Sequence, residues 1–151
     1  MATQVYPFIC VKDDDNNDRY RPWVPIRIIN PKNKKQFVQG HALLDTGADE
    51  CVFPKYSVDQ TGRDLMVDAS GSKQMKGVAQ GTIPVWFHSF IVEILTPDFK
   101  NVFWASKEIT VNVLEHDEVL PILGFSNCLC HFKITFNYAS RRVIVDNKPV
   151  V

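Results

Sequence analysis

The sequence lacks any imbalance of charge. Lys plus Arg number 17 and Asp plus Glu number 17, so the formal net charge at pH 7 is zero. No basic field exists to draw the chain onto nucleic acid or an anionic membrane surface, and both are excluded as expected partners. Long apolar runs are missing as well. The longest stretches without a formal charge, Gly77 to Val92 and Val119 to Phe132, are broken by Gln, Thr, Pro, Asn and His and are too short to cross a bilayer. The apolar run Val5 to Val11 is interrupted by Pro7, has no Lys or Arg ahead of it and runs into an acidic cluster, unlike a secretory signal. Cysteine is scarce, at Cys10, Cys51, Cys128 and Cys130, and the last two are too close together for a cross-linked scaffold. Reduced thiols and a cytoplasmic location are therefore expected. A long apolar pattern of period 3.6 is also missing, so no long amphipathic helix is foreseen.

What remains is a β pattern. The 151 residues, 45% hydrophobic and 11% aromatic, suffice for one core and are expected to form a single domain over 1–151. Val, Ile, Phe, Thr, Tyr and Trp cluster between turn formers, which predicts strands at Val5–Lys12, Trp23–Ile29, Phe37–Leu44, Leu65–Ala69, Gly77–Ile83, Val85–Leu95, Val102–Ala105, Ile109–Val113, Lys133–Asn137 and Arg142–Val145. The one helix expected is a turn or two after Gly124, where Phe125, Leu129 and Phe132 share a face. Asp13 to Asp18 has the acidity of a calcium loop but neither its turn Gly nor its closing Glu, and is expected to be a solvated turn. Cys128-Leu129-Cys130-His131 lacks a paired set of metal ligands and is expected to supply buried thiols. No metal and no cofactor are expected.

One segment stands apart. Ala42-Leu43-Leu44 is an apolar strand that ends in Asp45 and then turns through Thr46 and Gly47 to Ala48 and Asp49. Asp is a common turn residue after a strand, so the triplet alone decides little. Here it follows a fully apolar run, precedes a second one at Cys51-Val52-Phe53, and is joined downstream by Leu120-Pro121-Ile122-Leu123-Gly124. This constellation resembles the retropepsin-like (retroviral-type) aspartic proteases, and Leu43 to Asp49 matches their active-site signature residue for residue. Ile122-Leu123-Gly124 is similar to the family's second strand-Gly element, and Phe132 to Val145 to its closing strands. Nothing before Phe37 carries family signal.

The resemblance implies an all-β, closed-barrel fold with a flap hairpin, placed at Leu65 to Val85, and one short helix. It implies a homodimeric aspartic endopeptidase acting on a peptide or protein substrate. Asp45, Thr46 and Gly47 would be the catalytic loop, and Ala48, Asp49, Ile122 and Met75 would contact the substrate, Met75 from the flap. Asp-Thr-Gly occurs once, whereas this chemistry needs an acid and a base on opposite sides of the scissile bond. The second carboxyl would come from Asp45 of another copy. Two features depart from the retroviral pattern. Phe125 stands where an Arg usually pairs with the acid at the Asp49 position, and the flap segment Gly71 to Gly77 is polar, with Lys73 and Lys76. An inactive dimerisation or peptide-binding module of the same fold is the alternative reading, and an unrelated β-barrel in which Asp45 only starts a turn is the third.

Overall fold

The computed structural model describes residues 3–77 and 81–147. Its strands are β1 (Thr3–Pro7), β2 (Ile9–Lys12), β3 (Asp18–Arg21), β4 (Trp23–Ile29), β5 (Phe37–Leu44), β6 (Val52–Phe53), β7 (Gly71–Lys76), β8 (Thr82–Leu95), β9 (Val102–Ala105), β10 (Ile109–Val113), β11 (Ile122–Leu123), β12 (Lys133–Asn137) and β13 (Arg142–Asp146). A four-residue helix α1 (Tyr56–Asp59) and a 3-10 turn at Leu129–His131 are the helical elements among the described residues. The protein is all-β.

The main sheet runs β10-β6-β11-β5-β4-β8-β7, and β10 also pairs with β8, which returns the order to its start and closes a barrel. β4 makes this possible: bonded to β5 along its whole length and to β8 from Ile26 to Ile29, it is buried on both faces, and its sequence is nearly all apolar. β8 begins exposed at Thr82–Pro84 and from Phe87 to Ile94 alternates half-buried and buried side chains, with Val85, Phe90, Val92 and Ile94 turned to the core. A three-stranded sheet, β1-β13-β12, packs on the same core through Tyr6, Val143 and Val145. The Tyr6 hydroxyl donates to the Leu95 carbonyl at 2.8 Å and so ties this sheet to β8.

Five predicted strands, Trp23–Ile29, Phe37–Leu44, Val102–Ala105, Ile109–Val113 and Lys133–Asn137, occur with the expected ends. Others do not. Val5–Lys12 is two strands: Pro7 ends β1, buried Phe8 donates its amide to Arg141, and β2 departs to pair with β3. Polar β3 lacks an apolar alternation and was not foreseen. The expected strand Leu65–Ala69 is a series of turns, because the Asp64 carboxylate accepts the amides of Met66 and Val67 and takes them out of any ladder. The helix expected after Gly124 is reduced to the 3-10 turn at Leu129–His131, and α1 was missed because one helical turn has no readable periodicity. Of the expected strand Gly77–Ile83, residues 78–80 lie outside the described residues, and β8 takes up the pattern from Thr82. In the acidic loop Asp13 Oδ1 accepts the amides of Asp15 and Asn17, which is turn chemistry.

Candidate active site

β5 carries the chain out of the core. Ala42 and Leu44 are buried, and Asp45 is the first residue beyond them. β11 lies between β5 and β6, parallel to the first and antiparallel to the second, so the loop from Asp45 to Cys51 crosses over the end of β11. Backbone bonds lock that crossing. Asp45 donates its amide to Leu123 at 3.1 Å, while Ala48 and Asp49 accept the amides of Phe125 and Ser126 at 2.8 and 2.7 Å. Gly124 sits directly beneath: a Cβ there would lie 2.4 Å from the Glu50 carbonyl oxygen and 2.9 Å from that of Ala48. Only glycine fits so close an approach of two backbones.

Within the loop the chain turns back on itself. Ala48 donates its amide to the Asp45 carbonyl, and Asp45 Oδ1 accepts the Gly47 amide at 2.9 Å. The carboxylate is thus half-buried and held by its own turn, with Oδ2 unengaged among the described residues. Gly47 is not in the left-handed region, contrary to what a tight turn through glycine suggests; the limit on its size is Asp45 Oδ1, 3.3 Å from where its Cβ would be. Thr46 and Asp49 are exposed, and their side chains have no partner among the described residues.

A cleft of about 530 Å³ separates this loop from β7. Gly47, Ala48, Asp49, Glu50 and Val52 form its floor, and Lys73, Met75 and Lys76 face them from β7. Ile122 does not line the cleft. It is half-buried beside it in a small apolar cluster with Met75, Val52, Val85 and Leu114. The polar arm Gly71–Lys76, read from sequence as a flap tip, is a full strand in register with β8, and the hairpin turns farther on, where the Gly77 amide donates to the Gly81 carbonyl.

Three interactions near the loop were invisible in the sequence. Lys73 Nζ reaches Glu50 Oε2 at 2.7 Å across the cleft, and Asn112 on β10 donates to the same oxygen. Lys73 first and Asn112 second hold the Glu50 carboxyl below its usual range. At the far end of the loop the buried Cys128 thiol hydrogen-bonds to Cys51; this lowers the pKa of Cys51 and, with burial, raises that of Cys128. Cys130, expected to be buried, is exposed. These contacts join positions 23 to 77 residues apart, and no local pattern announces them. Phe125, in the place of the family's Arg, is 60% exposed and donates its amide to Ala48.

This architecture, with the loop from β5 to β6 crossing the end of β11 beneath a hairpin, has a counterpart among solved proteins. The crystal structure of a retropepsin-like aspartic protease from Rickettsia conorii superposes with a TM-score of 0.56 over 96% of this chain and 93% of that one, at 19% sequence identity. The fold is retropepsin-like. At that identity the likeness speaks to the fold alone. No protein-family model and no curated protein sequence matches the chain. In the retropepsin-like frame Asp45 sits at the crossing, Gly124 supports it, and β7 with the start of β8 forms the hairpin over the cleft. Among the described residues no three His, Cys, Asp or Glu side chains converge as metal ligands, and no helix is long and apolar enough to cross a membrane.

Proposed function

We propose that the chain, acting as one domain, is an aspartic endopeptidase that works as a homodimer. The observation that carries this reading is the Asp45 carboxylate, held by the amide of Gly47 where the loop after β5 crosses the end of β11, with Gly47 itself lining the cleft of about 530 Å³ under β7. Such a peptide would bond along its backbone to the loop and the hairpin, with Ala48 and Asp49 on the floor and Met75 above. The unpartnered Asp49 carboxylate is free to accept a substrate amide, and Ile122 backs the pocket wall through Met75 and Val52.

One carboxylate cannot serve as both base and acid. In the dimer, Asp45 and Thr46–Gly47 of each chain would meet across a two-fold axis in an isologous contact. Two carboxylates about 3 Å apart repel by roughly 5–6 kcal/mol at an effective dielectric near 20, so only one ionises easily and the pair keeps one proton. The ionised member takes a proton from a water held between them, the water attacks the scissile carbonyl, and the protonated member donates to the carbonyl oxygen.

The test is Asp45→Asn assayed on an unstructured protein at acidic pH. Cleavage should fall by at least about 10⁴-fold, and subunits mixed with wild type should form inactive heterodimers. A fully active variant removes Asp45 from the reaction. Wild-type chain that cleaves nothing, and ignores a peptide bearing a tetrahedral alcohol at the scissile position, would instead be a peptide-binding module.

A further inference from the structure

The loop that carries Asp45 ends in a thiol that the peptidase reading leaves unused. Cys51 is the last residue before β6, and Cys128 is the last before the 3-10 turn Leu129–His131. Cys51 is 2% exposed and Cys128 is fully buried, and neither forms a disulfide. Their side chains hydrogen-bond to each other within the main core.

Backbone bonds hold the two thiols from both sides. The Cys51 carbonyl accepts the Asn112 amide at 3.1 Å, and the Cys128 carbonyl accepts the His131 amide at 3.1 Å. Between these points the amides of Phe125 and Ser126 reach the carbonyls of Ala48 and Asp49, and Gly124 lies against the backbone of Glu50. The segments 48–51 and 124–128 are therefore already side by side. Thiols held in contact by such a frame need only a small further approach to join covalently.

The surroundings divide the chemistry between the two sulfurs. Cys51 Sγ accepts hydrogen bonds from the Cys128 thiol and from the Gly124 amide, and these favour its thiolate against the effect of burial. Cys128 donates to that sulfur and is buried, so it keeps its proton. One thiol is thus prepared to attack, and the other stands beside it to resolve the product. Cys51 is also among the residues that line a cavity of about 270 Å³, with Glu50, Thr110, Asn112 and Ser126, whereas Cys128 is not. A small oxidant reaches the pair from the Cys51 side.

We propose that Cys51 and Cys128 form a redox-reversible clamp: hydrogen peroxide oxidises Cys51, Cys128 converts the product to a disulfide, and the bond locks the Asp45 loop to the turn after Gly124. The Cys51 thiolate attacks one peroxide oxygen and breaks the O–O bond, which gives a Cys51 sulfenic acid and a hydroxide that takes up the displaced thiol proton as water. The Cys128 sulfur then attacks the sulfenic sulfur, and its proton leaves with the hydroxyl as a second water. Two thiols and one peroxide become one disulfide and two waters, and a dithiol reductant reverses the bond by exchange. The clamp does not depend on the peptidase reading.

The test uses the full chain carrying Cys10→Ser and Cys130→Ser, which removes the exposed thiols. After treatment with hydrogen peroxide and alkylation, peptide mass spectrometry should find Cys51 joined to Cys128 and the chain lighter by two hydrogens. The oxidised form should unfold at least about 5 °C above the reduced form, and a dithiol reductant should abolish the difference. Adding Cys128→Ser should stop the reaction at a Cys51 sulfenic acid that dimedone traps, with no cross-link. Cys128→Ala takes its place if serine is not tolerated in the core. The proposal is overturned if no cross-link forms under peroxide that fully oxidises Cys10 of the wild-type chain, or if one forms only after unfolding in urea. An oxidised form no more stable than the reduced one, or a Cys128 variant that yields no sulfenic acid, overturns it as well.

Discussion

Gly47 and Gly124 lie on opposite sides of the same loop, and a methyl group added at each meets a different obstacle. At Gly124 it would drive into the backbone of Glu50 and Ala48, which cannot move without undoing the crossing. Gly124→Ala should therefore cost about 3 kcal/mol or more, the upper end for overpacking, read as a loss of denaturation midpoint. At Gly47 the methyl meets one carboxylate oxygen of Asp45 at 3.3 Å, and φ is ordinary. Gly47→Ala should leave the denaturation midpoint within about 1 kcal/mol of wild type, while moving the carboxylate by a few tenths of an ångström and lowering kcat. Equal stability losses in the two variants would contradict this division. The sequence drew attention to Gly47 as part of the Asp-Thr-Gly turn, yet the residue that geometry forbids to change is Gly124. That requirement arises from a chain segment over seventy residues away, which no window of sequence contains.

At the scale of elements, β7 is the piece whose character composition obscures. Its residues are polar because one face looks onto the cleft, and it is a strand because β8 supplies a full ladder of partners from Thr82 to Phe87. Among the described residues the Lys73–Glu50 ion pair is the polar contact that fastens it to the loop opposite, and both side chains are about half exposed. An exposed pair of this kind contributes at most about 1 kcal/mol and is screened by salt. Because the Glu50 carboxyl is held below its usual range, the pair contributes fully above the ordinary carboxylate pKa of about 4.3 and is lost as pH falls through the depressed value. The hairpin should loosen in acid and in high salt. Amide exchange in β7, corrected for intrinsic rates, should show less protection at about pH 3 than at about pH 6 in wild type. In Glu50→Gln the difference should vanish; an identical response in the variant would assign the loosening to other groups. The expected strand Leu65–Ala69 fails for a related reason: Asp64 captures the amides that a strand would need.

At the scale of the molecule, the barrel and the three-stranded sheet share one core, and the Tyr6 hydroxyl on Leu95 is the hydrogen bond that crosses between them with both partners buried. Tyr6→Phe keeps the ring and deletes the donor, leaving a buried carbonyl without its partner. The expected loss is about 1–3 kcal/mol in denaturant unfolding, with the same slope as wild type. A neutral result would mean that solvent reaches Leu95. The second prediction at this scale concerns assembly. If two Asp45 carboxylates make one site, specific activity must fall on dilution and recover on reconcentration, and sedimentation must show the two changes together. Activity per chain that is constant across the monomer–dimer transition would rule out a shared site.

The sequence by itself determined the class of the fold and the location of the acid. Strands bounded by turn formers, such as Phe37–Leu44 and Ile109–Val113, are local events set by side-chain shape and alternation, and Asp45 declares itself because an apolar strand ends on it. Tertiary structure alone decided what surrounds that acid: which glycine is obligatory, that Lys73 ties Glu50 to the hairpin, and that Cys51 meets Cys128. The physical reason is common to all three. Each depends on the order in which strands lie side by side, and barrel closure sets that order by burying the whole apolar surface at once.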